Sequence, residues 1–200
     1  DARRLDKKRY PLMIERFMAL GLPKGAALPK PQWPALRCSP IQVDQTRAHF
    51  QLTSAQPILA LCPGAEFGPA KRWPVAHFAE VARDKLASGW QVWLFGSVKE
   101  EPLAAEIQQL TSQGCVDLTG KTTLAEAIDL LSQADAVVCN DTGLMHIAAA
   151  LARPIVAVYG SSSPGFTPPL AKKIEIATLN KSCSPCFART CRYGHTACLN

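Results

Sequence analysis

A chain of 200 residues and 21.6 kDa has room for one ordinary domain, or for one domain with a piece of a second. Hydrophobic residues make up 48% and charged residues 19%, with a mean hydropathy of +0.01, so a packed core is available and disordered, fibrous and collagen-like classes are excluded. The net charge of +6 sits at the ends: residues 1–10 hold five basic and two acidic side chains, residues 171–200 five and one.

Residues 11–20, Pro11 to Leu20, have the pattern of an amphipathic helix with proline in its first turn, and Gly21 supplies a stop. Pro23, Pro29, Pro31, Pro34 and Pro40 then argue against regular structure to about residue 46. From residue 58 an alternation begins. Ile58 to Cys62 reads as a buried strand, Val75 to Ser88 as a helix closed by Gly89, and Gln91 to Phe95 as a second strand. Residues 101–113 read as a helix and Val116 to Leu118 as a short strand. Thr123 and Glu126 have capping-box spacing and lead a helix with Leu124, Ala127, Ile128 and Leu131 on one face. Ala136 to Cys139 is again a strand, Leu144 to Ala152 a helix, and Ile155 to Tyr159 a strand. Short apolar strands without polar alternation, separated by helices, predict a parallel sheet covered on both faces, a doubly wound, Rossmann-like α/β domain. Ligands of such sheets bind at the carboxyl ends of the strands, which directs attention to the residues after 62, 95, 118, 139 and 159.

After the first of these strands, residues 63–74 read Pro-Gly-Ala-Glu-Phe-Gly-Pro-Ala-Lys-Arg-Trp-Pro. Glycines permit close backbone approach to a ligand, and Lys71 and Arg72 bring positive charge just before a helix whose first amides can face an anion. Taken alone, the segment reads better as a Gly/Pro turn with solvated Lys and Arg. After the strand ending at Cys139, Asp141, Thr142 and Gly143 lie at a strand-to-helix turn, with His146 about one turn in. A lone histidine there is usually structural; Asp, Thr and Gly at the mouth of the same crevice favour a functional one. Gly96 and Ser97 end another strand, with Glu100 and Glu101 close behind, and a carboxylate at such a place can accept hydrogen bonds from a ribose diol.

The eight cysteines fall into two groups. Cys38, Cys62, Cys115 and Cys139 are scattered, the last three in or beside apolar runs where cysteine acts as a small hydrophobe. Cys183, Cys186, Cys191 and Cys198 crowd the tail with His195, a set able to build a tetrahedral zinc site, although six residues separate the second pair. The expectation is a basic cysteine-rich loop without a required metal. No apolar run approaches the roughly 20 residues of a membrane span. The start at Asp1-Ala2-Arg3-Arg4, without Met or an apolar leader, leads to the expectation of a fragment with no secretion signal.

Residues 63–74, the run Asn140-Asp-Thr-Gly-Leu-Met-His146 and the run Tyr159-Gly-Ser-Ser-Ser-Pro-Gly-Phe-Thr-Pro-Pro169 together resemble the ADP-heptose:lipopolysaccharide heptosyltransferases, in the heptosyltransferase II branch. The resemblance implies a GT-B enzyme of two Rossmann-like domains, with residues 53–200 in the C-terminal, donor-binding domain, expected to be incomplete at its C-terminus, and 1–52 the end of the N-terminal acceptor domain plus the connection. It implies an inverting, metal-independent transfer of heptose from ADP-heptose to the first heptose of the lipopolysaccharide inner core. The general base, an Asp of the missing N-terminal domain, has no counterpart here, so the isolated chain is expected to be inactive. Lys71 matches the lysine that contacts the donor phosphates and stabilises the leaving diphosphate, within a donor-binding loop that includes Gly64, Ala65 and Glu66. Asp141, Thr142, Gly143 and His146 match the motif that holds heptose and pyrophosphate. Glu100, beside Ser97, matches the ribose carboxylate, and Thr122 and Leu124 fall where adenine packs. No metal, no other cofactor and no nucleic acid is implied, and the expected location is cytoplasmic, peripheral at the inner face of the inner membrane. Basic ends would suit that anionic surface, or they are simply solvated.

Two other classes remain open from the residues themselves. A nicotinamide-dependent oxidoreductase fits the sheet, but no G-x-G-x-x-G follows any predicted strand. A non-catalytic zinc or nucleic-acid module fits the tail and the basic charge.

Overall fold

β1 (Ile58–Cys62) is buried along its whole length, and the fold is organised on its two faces. In the computed structural model, which describes residues 4–53 and 55–200, it lies inside a parallel sheet with β2 (Gln91–Leu94), β3 (Val116–Asp117), β4 (Ala136–Asn140), β5 (Ile155–Val158) and β6 (Ile174–Ala177). Asp1, Ala2 and Arg3 of the basic amino-terminal stretch lie outside the described residues. The strand order is β3-β2-β1-β4-β5-β6 and all five pairings are parallel, the doubly wound arrangement expected from the sequence. The helices are α1 (Met13–Leu20), α2 (Pro40–His49), α3 (Val75–Ala87), α4 (Glu101–Leu110), α5 (Leu124–Leu131) and α6 (Gly143–Ala150).

Successive strand side chains point to opposite faces, so each inner strand feeds two cores. Ile58, Ala60 and Cys62 join Trp93, Val137, Cys139 and Ala157 in one, closed by Leu130 and Leu131 of α5 and Met145 and Ala148 of α6. Leu59 and Leu61 join Val92 and Leu94 in the other, closed by Phe78 and Ala82 of α3 and Ala104 and Ile107 of α4. The predicted capping box forms: Thr123 Oγ1 accepts the Glu126 N–H at 3.3 Å, and Glu126 Oε2 accepts the Thr123 N–H at 2.8 Å. Gly89, at φ +80°, ends the chain reversal after α3.

The structure departs from the sequence reading at three elements. Pro40 does not prevent a helix; it is the first residue of α2, where a missing N–H is no loss because first-turn amides have no intrahelical partner. Buried Thr46 of α2 donates its hydroxyl to Asp129 Oδ2 of α5 at 3.0 Å, so this segment packs on the sheet domain. β6 has one half-buried and three exposed residues, as an edge strand allows, and so lacks the apolar run that marks the inner strands. The helix expected over 101–113 stops at Leu110, because Ser112 and Gln113 turn the chain at φ +53° and +60°.

Candidate functional site

β1 and β4 are neighbours, but the helices that follow them, α3 and α6, cover opposite faces of the sheet. The crevice between their carboxyl ends is therefore the switch point of the winding, the place where such sheets hold ligands. Asn140, the last residue of β4, fixes the wall of this crevice. Its Oδ1 accepts the Trp73 N–H at 2.9 Å and its Nδ2 donates to the Pro63 carbonyl at 2.7 Å, so both ends of the loop after β1 are pinned to β4.

A cavity of about 380 Å³ opens between this loop, the end of β2 and the start of α6. Its floor is apolar, from Cys62, Phe95, Ala127, Leu144 and Ile147. Burial pushes the Cys62 thiol up to about 12, with the Glu100 charge adding to the effect, so Cys62 stays a neutral hydrophobe. Glu100 is buried in the wall, where its Oε2 accepts the N–H and the hydroxyl of Ser97, each at 2.7 Å. Gly64 makes room for it: a Cβ there would stand 2.5 Å from the Glu100 side chain.

On the other rim, Lys71 Nζ donates to Asp141 Oδ2 at 2.5 Å, an ion pair with both side chains largely buried. Thr142 makes no side-chain cap hydrogen bond, so the first amides of α6 keep their unpaired, partly positive ends beside this pair. His146 reaches solvent, yet crowding by protein lowers its pKa, Asp141 works to raise it, and Lys71 lowers it further.

Of the residues singled out in the sequence, Gly64, Glu66, Ser97, Glu100, Thr122, Leu124, Thr142 and Gly143 line the cavity. Lys71, Asp141 and His146 gather beside it at the start of α6. Ala65 does not line it: the residue is buried, and its carbonyl accepts from Arg72 Nη2 at 3.4 Å. Glu66 is exposed at the rim and paired with Lys99 at 2.6 Å. Sequence reasoning passed over Asn140, although its place at a strand end, next to Asp141, was the available signal.

The cysteine-rich tail also reaches this region. The Ala70 N–H donates to the Arg189 carbonyl at 3.0 Å, and Gly68, at φ +154°, lies so close that a Cβ would stand 2.5 Å from the same oxygen. Cys183, Cys186, Cys191 and Cys198 are free thiols around one small cavity that Ala70 and Ser161 also line. Among the described residues no three His, Cys, Asp or Glu side chains are gathered so as to hold a metal ion.

Topology and cavity together define an α/β domain with a cavity at the switch point of a doubly wound sheet, where such folds hold ligands. The profile of glycosyltransferase family 9 (heptosyltransferase) matches residues 1–197, and the chain belongs to that family. Lipopolysaccharide heptosyltransferase 2 of Salmonella typhimurium is 48% identical over 189 residues, covering 90% of this chain and 54% of that protein. The structure of Escherichia coli ADP-heptose lipopolysaccharide heptosyltransferase II superposes with a TM-score of 0.83 at 46% identity, over 90% of this chain and 57% of that one. Escherichia coli heptosyltransferase WaaC, solved with ADP, gives 0.57 at 26% identity, over 76% of this chain and 45% of that one. The chain spans about half the length of the curated relatives it matches. Neither the nicotinamide reading nor the zinc or nucleic-acid reading finds support in these relatives.

Proposed function

We propose that this chain carries the donor-binding part of an enzyme that moves heptose from ADP-heptose to the first heptose of the lipopolysaccharide inner core. The observation that carries the reading is the Lys71–Asp141 pair at the uncapped start of α6, beside a cavity with an apolar floor and a buried carboxylate. Adenine packs on Leu124, Leu144 and Ile147 near Thr122, and the ribose hydroxyls donate to Glu100, whose Oε1 accepts no other hydrogen bond among the described residues. The diphosphate lies against the α6 amides and Lys71. As the bond to the anomeric carbon breaks, negative charge grows on the departing diphosphate, and Lys71 turns from Asp141 towards it. In this reading the counter-charge comes from the chain's own groups and requires no metal. The base that takes the acceptor's proton belongs to the acceptor-binding part, so this chain alone binds donor and transfers nothing. The acceptor is a phosphorylated glycolipid, and exposed Lys172, Lys173 and Lys181 are placed to favour an anionic membrane surface on the cytoplasmic side. No helix among the described residues is long and apolar enough to cross a membrane.

Calorimetric titration with ADP-heptose and ADP, against UDP and NAD, tests the reading. Heat with the two adenosine diphosphate ligands alone is expected; equal affinity for UDP or NAD would overturn it. Lys71→Ala is expected to weaken ADP binding at least tenfold, the value of a charged hydrogen bond at about 1.5–3 kcal/mol. An unchanged ADP affinity would remove Lys71 from the phosphate site.

A further inference from the structure

Four cations surround the loop after β1. Lys71 is paired with Asp141 and Lys99 with Glu66, while half-buried Arg72 gives one hydrogen bond, from Nη2 to the Ala65 carbonyl, and its Nε is buried without a partner. Arg189 is the exception: among the described residues its guanidinium has no hydrogen bond and no ion pair. It lies 5.2 Å from the centroid of the Phe67 ring, and Lys71 Nζ lies 5.1 Å from the same centroid. The two charges are thus held on one aromatic platform, no more than about 10 Å apart. A diphosphate with its hydrogen-bonding oxygens spans that order of distance.

The charge balance points the same way. A nucleoside diphosphate brings more than one negative charge, whereas Lys71 is largely neutralised by buried Asp141. The α6 amides offer about half a positive charge. Placing the diphosphate beside Lys71 therefore leaves anionic charge without a partner; Arg72 and Arg189 share only the charge of Glu66, which is already bonded to Lys99, and Arg189 is the more exposed of the two. The tail holds it there through backbone: the Arg189 carbonyl takes the Ala70 N–H, and Gly68 permits the close approach.

We propose that Arg189 of the cysteine-rich tail is a second phosphate-binding cation, which meets the diphosphate of the nucleotide from the Phe67 side of the loop. This rests on the donor-binding reading above. Arginine suits the role, since its planar fork can take two phosphate oxygens while its face stays on Phe67.

Arg189→Gln removes the charge and keeps the backbone carbonyl, so the tie to Ala70 survives. Calorimetry with ADP and saturation-transfer NMR with adenosine separate phosphate binding from nucleoside binding. The variant is expected to weaken ADP about tenfold, to leave adenosine unchanged and to keep the wild-type melting temperature. Arg189→Lys should recover part of the loss. Equal losses for ADP and adenosine would make the role structural and overturn the proposal, as would no change for either. A loss confined to a phosphorylated glycolipid acceptor would overturn it too, moving Arg189 to the other substrate. Wild-type chain that fails to bind ADP would overturn the donor-binding reading itself, and this proposal with it.

Discussion

The sheet domain up to β5 and the tail beyond it border the same crevice, but different forces hold them. Residues 58–159 are fixed by burial, with Trp93, Phe78, Leu61 and Ile107 sealed between strands and helices. Residues 160–200 contain one short edge strand and turns, with Asn180, Phe187 and Thr196 at positive φ. Beyond the β5–β6 ladder the tail is held by scattered hydrogen bonds: within it, Phe187 N–H to the Ser161 carbonyl at 2.7 Å and Ser184 hydroxyl to the Gly160 carbonyl, and across to the loop after β1, Ala70 N–H to the Arg189 carbonyl at 3.0 Å. Its one large, fully buried side chain is Leu199, seated on Gly160 so closely that a Cβ there would stand 2.5 Å from it. One wall of the site is thus part of the folding core, and the other can loosen without unfolding it.

Truncation in the core is the largest expected effect. Trp93→Ala empties a fully buried site between β1 and α5 and should cost about 3–5 kcal/mol, read as a large fall in the urea midpoint at unchanged m-value. A cost under about 1 kcal/mol would mean that burial does not hold this half together. Leu199→Ala should cost less, about 2 kcal/mol, since a surface-proximal site can relax around the gap. Its sharper consequence is local. Hydrogen exchange should quicken at the Ala70 amide, which depends on the tail, and stay slow at Trp73, which Asn140 holds. Equal acceleration at both amides would erase the distinction between the two walls.

The same division decides what was legible in the sequence. Inner strands announce themselves as apolar runs, and turn residues at their ends point to Lys71, Asp141 and Gly143, so the fold and much of the cavity lining could be read directly. The pairing of Lys71 with Asp141 could not, because it joins residues 70 apart through the β1–β4 adjacency. Asn140 was overlooked because asparagine at a strand end reads as turn chemistry, whereas here it is a buried bracket for the loop after β1. β6 lies at an edge and has little apolar signal, and Pro40 reads as a breaker unless its first-turn place is known. The tail's tie to the site runs through the Arg189 carbonyl, and a backbone contact leaves no mark on residue type.

The smallest effect bears on His146, on the core side of the site, where Asp141 and Lys71 act on one group. Its pKa lies below the ordinary 6.5, first because protein crowds water from the imidazole, with Asp141 opposing and Lys71 reinforcing. A base whose folded pKa is depressed binds fewer protons folded than unfolded. Its contribution to stability is therefore complete above about 6.5 and declines as the pH falls through that value towards the folded pKa. A diphosphate at the start of α6 adds negative charge beside the ring and raises its pKa, so ADP binding should carry proton uptake by His146 at about pH 6. Titrations in buffers of different ionisation enthalpy measure that uptake, and His146→Gln separates it from the titration of the ADP phosphates. The wild type should take up more protons than the variant. Equal exchange in both would place the diphosphate away from the start of α6, and only the tail's wall would then be left to hold it.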